Sequence, residues 1–113
     1  MIVNSHKSLI LPIKKKWFDM IRSGEKKEEY REVKPYYNVR FGFMDDDNLK
    51  IHTIQVCKTI KLRNGYSKNS PTLECKVKII KGYGKPEWGA EPNKLYYVLK
   101  ILSVEEFKNE TMD

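Results

Sequence analysis

Gly24-Glu25-Lys26-Lys27-Glu28-Glu29-Tyr30-Arg31 is where the hydrophobic period of this chain changes. Before it, Trp17, Phe18 and Ile21 recur at helical spacing, with Met20 beside them. Lys15, Lys16, Asp19 and Arg22 take the other face. That spacing predicts an amphipathic helix from Lys14 to Ser23. Gly24 is its expected stop, because a residue without Cβ takes the left-handed position after a helix. Beyond it the apolar residues alternate, as half-buried strands require. The stretch itself reads G-x-K-x-x-E-x-R and sets Lys26, Glu29 and Arg31 beside a turn. Charges clustered there are either a solvated ladder of ion pairs or a site that grips a polar ligand. Each pair of a solvated ladder is worth about 0–1 kcal/mol.

Upstream, Ser8 to Ile13 is a short apolar run expected to be the first strand. Pro12 suits its edge or end, since proline cannot donate to a ladder. Downstream, Lys26 to Glu32 is too polar for a central strand and reads as a half-exposed one lining a groove. Alternation puts Lys27, Glu29 and Arg31 on one face. Lys26 points the other way unless it still belongs to the turn. Residues 34–43, with Pro35, Tyr36, Tyr37 and Phe41, read as a loop or short helix. Asp45-Asp46-Asp47-Asn48 is an acidic turn without the spacing of an EF-hand.

Ile54, Val56, Ile60 and Leu62 alternate, as do Leu73, Cys75, Val77 and Ile79. The turn-rich segment 64–71 between them predicts a long-looped hairpin. A second long loop covers 82–90. Leu95 to Leu102 is the last expected strand, and residues 108–113 form a polar tail. One principal N-terminal helix and about five strands, without βαβ alternation, predict a strand-rich mixed α+β fold closing as a small barrel. At 113 residues the chain is expected to be a single domain.

Basic residues number 22 against 15 acidic, a formal net charge of +7. That balance favours polyanionic partners, nucleic acid before acidic membranes. No run reaches the roughly 18 apolar residues of a membrane-spanning helix, and the first residues lack the order of a signal peptide. A cytoplasmic protein with no membrane partner is the expectation, and a monomer is favoured. His6 and His52 are isolated, and Cys57 and Cys75 lack metal-ligand spacing. No zinc site and no cofactor are therefore expected. The cysteines are expected as buried free thiols, placed almost opposite each other across the hairpin, so that adventitious oxidation is conceivable.

With these elements in place, the chain resembles the ASCH domain family of the PUA-like superfold, in the manner of its short bacterial and phage-borne members. The likeness rests on the strand 8–13, the helix through Trp17 and Ile21, and Gly24, Lys26, Glu29 and Arg31 in the family's G-x-K-x-x-E-x-R pattern. Leu73-Glu74-Cys75-Lys76-Val77 resembles the later strand that carries an acidic residue. The likeness runs from about residue 8 to 102. It implies a PUA-like β-barrel with a charged cleft beside the first helix, and binding of RNA or nucleotides. Some members resemble enzymes, either deacetylating a modified cytidine nucleoside or acting as a metal-dependent ribonuclease. In the amidohydrolase group a Lys, a Thr and a Glu form the site. Lys26 stands at the Lys position, Glu74 at the Glu position, and Glu29 where the family has Thr. Glutamate carries no hydroxyl, so the threonine-type mechanism is not expected here.

Lys26, Glu29, Arg31 and Glu74 are thus the candidate constellation. Arg31 can hold a phosphate or carboxylate with a bidentate fork. Lys26 can neutralise a phosphate. In a hydrolase of RNA or of a modified nucleoside, Lys26, Glu29 and Glu74 are the catalytic candidates. Glu29 or Glu74 would then act as base, with manganese as a conceivable cation for a ribonuclease. Tyr66, Lys68, Lys85 and Trp88 are the loop candidates for holding single-stranded nucleic acid by stacking and charge. Trp88 can equally pack as a lid over the cleft. A third reading is a non-catalytic interaction protein.

Overall fold

A computed structural model of the chain describes residues 9–42 and 56–107. His6, His52, Ile54, the acidic turn 45–48 and the tail 108–113 lie outside them. The described elements are β1 (Leu9–Pro12), α1 (Lys15–Ser23), β2 (Glu28–Glu32), α2 (Pro35–Phe41), β3 (Val56–Arg63), β4 (Thr72–Tyr83) and β5 (Leu95–Phe107). The strands form one sheet in the order β1-β3-β4-β5-β2. Only the β1–β3 ladder is parallel; the other neighbours are antiparallel. The result is a strand-rich α+β fold whose sheet curls into a half-barrel.

The inner face of the curl holds the core. Ile60 and Leu62 of β3, Leu73, Cys75, Val77 and Ile79 of β4, and Tyr97 and Leu99 of β5 are all buried on it. α1 adds Phe18 and Ile21, the two buried residues of its apolar stripe. Burying side chains of that size contributes roughly 1.5–3 kcal/mol each. Its polar face carries Lys15 and Arg22 on either side of Asp19. Gly24 ends the helix at φ 90°, and its N–H donates to the Ile21 carbonyl.

α2 is a second helix, short but regular. Pro35 starts it, Tyr37 and Phe41 stack with ring centres 5.3 Å apart, and Phe41 meets Tyr97 edge-on. A smaller cluster occupies the outer face near β2. There Ala90, Tyr96 and Val98 are buried against Tyr30 and Ile80.

Two expectations need correcting. β5 runs five residues past Leu102, to Phe107. Lys76 pairs with Ser103 but Val77 pairs with Ile101, so Leu102 is an extra residue in the ladder. Such a bulge breaks alternation without ending the strand. The cysteines are not opposite each other. Cys57 pairs with Lys78 and Cys75 with Ile60, because the loop 64–71 fixes Arg63 against Thr72. Cys75 is buried and Cys57 exposed.

Candidate functional site

β2 is an edge strand, yet its inward residues are charged. Glu29 lies opposite Leu99 and Arg31 opposite Tyr97, both core residues of β5. Lys26 precedes the strand and still belongs to the turn after α1, where its N–H donates to the Met20 carbonyl at 2.9 Å. That position lets its side chain fold inward as well, and it is only 1% exposed. Lys26, Glu29 and Arg31 therefore meet under α1, although strict alternation would separate them.

The three form a continuous network. Lys26 Nζ lies 3.2 Å from Glu29 Oε1 and donates to the Trp88 carbonyl at 2.6 Å. The rings of Trp17 and Tyr30 flank the ammonium, each centred 4.9 Å away. Glu29 Oε2 accepts from Arg31 Nε at 3.1 Å and from its terminal nitrogen at 2.7 Å. The same Arg31 nitrogen donates to the Pro12 carbonyl at 2.7 Å, and the other reaches the Tyr37 hydroxyl. Burial lowers the Lys26 pKa below the ordinary lysine value, against the opposing pull of Glu29. Burial also disfavours the Arg31 charge, but Glu29 and Tyr37 outweigh it and raise its pKa.

The segment 84–90 lies over Lys26. Besides the Trp88 carbonyl, the Tyr30 hydroxyl pins it by accepting from the Lys85 N–H at 2.9 Å. Gly89 sits at φ 106°, and a Cβ there would stand 3.1 Å from the Trp17 ring. Tyr30 in turn donates to Glu28 at 2.7 Å. Its phenol is held above the usual tyrosine range, first by burial and then by the Glu28 carboxylate. The expected open cleft is thus roofed. Both Glu29 oxygens are engaged, and the Lys26 ammonium is enclosed.

Glu74 does not join them. It alternates with the buried Leu73 and Cys75, so it faces outward, across from Lys61 and Glu105. The sheet stands between it and Glu29. Lys85 is exposed and lies over the half-buried Trp88 ring, 4.7 Å from its centre.

Tyr66 and Lys68 are elsewhere, on the loop 64–71. Tyr66 is 97% exposed. It borders a pocket of about 330 Å³ lined by Pro12, Ile13, Lys14, Asn64 and Gly65. Asn64 fixes the base of that loop, donating through Nδ2 to the Ile13 carbonyl at 2.9 Å. On the other flank a second pocket, of about 320 Å³, lies between Arg22, Lys68 and Phe107.

Sequence reasoning missed Lys81, which is completely buried with its ammonium 5.6 Å from the Tyr97 ring centre. Tyr97 donates to the Asn38 side chain. The signal was present: Lys81 continues the inward alternation of Val77 and Ile79. No group of three or more His, Cys, Asp or Glu gathers among the described residues, and no helix among them is long and apolar enough to cross a membrane. No family model matches the chain, and neither a curated protein nor a solved structure does.

Proposed function

We propose that the chain is a binding domain for single-stranded RNA or a nucleotide, of the ASCH type within the PUA-like superfold. The reading is carried by Tyr66, a ring 97% exposed at the rim of a pocket whose other wall bears the exposed Lys14. A tyrosine held clear of its own protein offers both faces to a base. Stacking of this kind is worth about 1–3 kcal/mol per base and tolerates any sequence. The net charge of +7 supplies the attraction for phosphates. The G-x-K-x-x-E-x-R residues support the family reading in another way. They gather where α1, β1 and β2 meet, and so would shape the fold beside the ligand rather than grip it. Hydrolysis has less support, because both Glu29 oxygens are already engaged by Lys26 and Arg31 and Glu74 is on the far face.

Fluorescence anisotropy of a short labelled oligouridylate tests the proposal. Tyr66→Ala is expected to weaken binding by roughly 5- to 150-fold, the equivalent of one stacked base. Tyr66→Phe, which keeps the ring, is expected to bind like the parent. Equal affinity of the alanine variant and the parent would sink the reading.

A further inference from the structure

The outer face of the sheet carries an arrangement that folding alone does not favour. Cross-strand neighbours share a face, and like charges directly opposite each other are destabilising. Lys78 of β4 stands directly opposite Lys100 of β5. Lys76, two residues from Lys78 on the same face, lies between Thr59 and Ser103. Along a strand that spacing is about 6.6 Å, and neighbouring strands are about 4.8 Å apart. Three lysines therefore project from a small area of sheet.

The surroundings do little to neutralise them. Glu28, opposite Lys100 on its other side, approaches that lysine at 3.9 Å. Glu74 and Glu105 form the row beyond Lys76, where Glu74 faces Lys61. No ion pair joins Lys76 or Lys78 to another described residue. Nor is the face roofed by described residues, because Cys57, Thr59, Lys76, Lys100 and Ser103 are all exposed. The outer apolar cluster around Ala90 and Val98 stops one row short of Lys78.

We infer that this row of lysines is a second docking point for the phosphate backbone of single-stranded nucleic acid, separate from the Tyr66 pocket. It rests on the RNA reading above. The repulsion between Lys78 and Lys100 is relieved when a phosphate lies between them, so binding and folding make opposite demands on the same side chains. A polyanion fits the charge. Single-stranded RNA fits better than a rigid surface, because a flexible backbone can follow a curled sheet and still reach Tyr66 at the end of the half-barrel.

That opposition gives the test. Lys76→Thr and Lys78→Thr place a good strand former on an exposed and a half-buried outward position of β4, neither of them in the core. Oligouridylate affinity is measured between about 50 and 200 mM salt. Each variant is expected to bind more weakly and to reduce the log–log salt slope by about 0.7, the value for one phosphate that is no longer neutralised. Without RNA, Lys78→Thr is expected to raise the melting temperature by about 1–4 °C. Tyr66→Ala should instead lower affinity with the slope unchanged. If Tyr66→Ala weakens binding while both lysine variants match the parent in affinity and slope, the lysine row is refuted and the RNA reading stands. If the parent itself fails to bind at low salt, the RNA reading falls and takes the inference with it. A lower melting temperature for Lys78→Thr overturns it too, since the lysine would then be structural. Stronger capture of the parent by heparin or phosphatidylserine vesicles than by oligouridylate, abolished in the lysine variants, assigns the row to another polyanion and overturns the inference.

Discussion

The Arg31 guanidinium donates to the Pro12 carbonyl at 2.7 Å and thereby ties β2 to β1, the two outermost strands of the sheet order. Backbone pairing does not join these edges. A side chain does, and it is held in place by two bonds to Glu29. Arg31 is a clasp across the open side of the half-barrel.

Removing the clasp is expected to be costly. Arg31→Ala leaves the buried Glu29 carboxylate with Lys26 alone, and breaking a buried ion pair costs about 3–5 kcal/mol. Arg31→Lys should recover only part of this, since one ammonium cannot bridge Glu29 and Pro12 as a fork does. Urea unfolding measures both. An alanine variant as stable as the parent would show that the clasp contributes nothing.

The Cys75 thiol gives the fold an alkaline sensitivity. Burial pushes its pKa from 9.0 up to about 12, reinforced by the Glu74 and Glu29 charges. The pKa is raised on folding, so the native state holds the proton longer than the unfolded chain. This contribution is complete below pH 9.0 and is lost as pH rises toward about 12. Lys26 acts in the opposite sense, its pKa being lowered on folding. Comparing Cys75→Val with the parent isolates the thiol. The variant should lose less stability between about pH 9 and 10.5 in urea titrations, whereas parallel curves would rule the thiol out.

The two cysteines should also differ in reactivity. Cys57 is exposed and Cys75 buried, and neither faces the other in the β3–β4 register. A thiol reagent under native conditions is expected to modify Cys57 rapidly and Cys75 only after unfolding. Mass spectrometry of the labelled chain decides it. An intramolecular disulfide in the folded, air-exposed protein would contradict the register.

Gly89 and Gly24 both have positive φ, but their surroundings differ. A Cβ at Gly24 meets nothing within 4 Å, whereas at Gly89 it would stand 3.1 Å from the Trp17 ring. Gly24→Ala should therefore cost only the left-handed backbone penalty, about 1–2 kcal/mol. Gly89→Ala should cost more and should also disturb the Trp88 carbonyl above Lys26. Tryptophan fluorescence during denaturation separates them: a shifted native spectrum is expected for Gly89→Ala alone. Equal costs and unchanged spectra would show that segment 84–90 does not press on Trp17.

The sequence made α1, the β3–β4 hairpin and the strand-rich class legible, because each writes its period in apolar residues. Trp17, Phe18 and Ile21 have one period, and Leu73, Cys75 and Val77 have another. The full length of β5 is hidden because its inward residues pass from Ile101 to Val104, a three-residue step imposed by the bulge at Leu102. The motif shows that Lys26, Glu29 and Arg31 belong near one turn. It does not show that they are enclosed. Enclosure depends on the Trp88 and Pro12 carbonyls, which are backbone atoms supplied by distant segments and have no signature in side-chain order. Glu74 does not belong with the other three, because strand membership alone does not reveal which face a residue takes; its neighbours Leu73 and Cys75 do.

The ladders described above also set an order of events during synthesis. β3, β4 and β5 are joined by loops and can pair as soon as they exist. β2 has β5 as its strand partner, with Glu29 meeting Leu99, and β1 must wait for β3, with Leu9 meeting Ile60. Pairing between segments so far apart along the chain is slow. Until β5 has left the ribosome, Lys26, Glu29 and Arg31 remain hydrated. The charged turn that ends up enclosed thus stays in water until the segments that enclose it have been made.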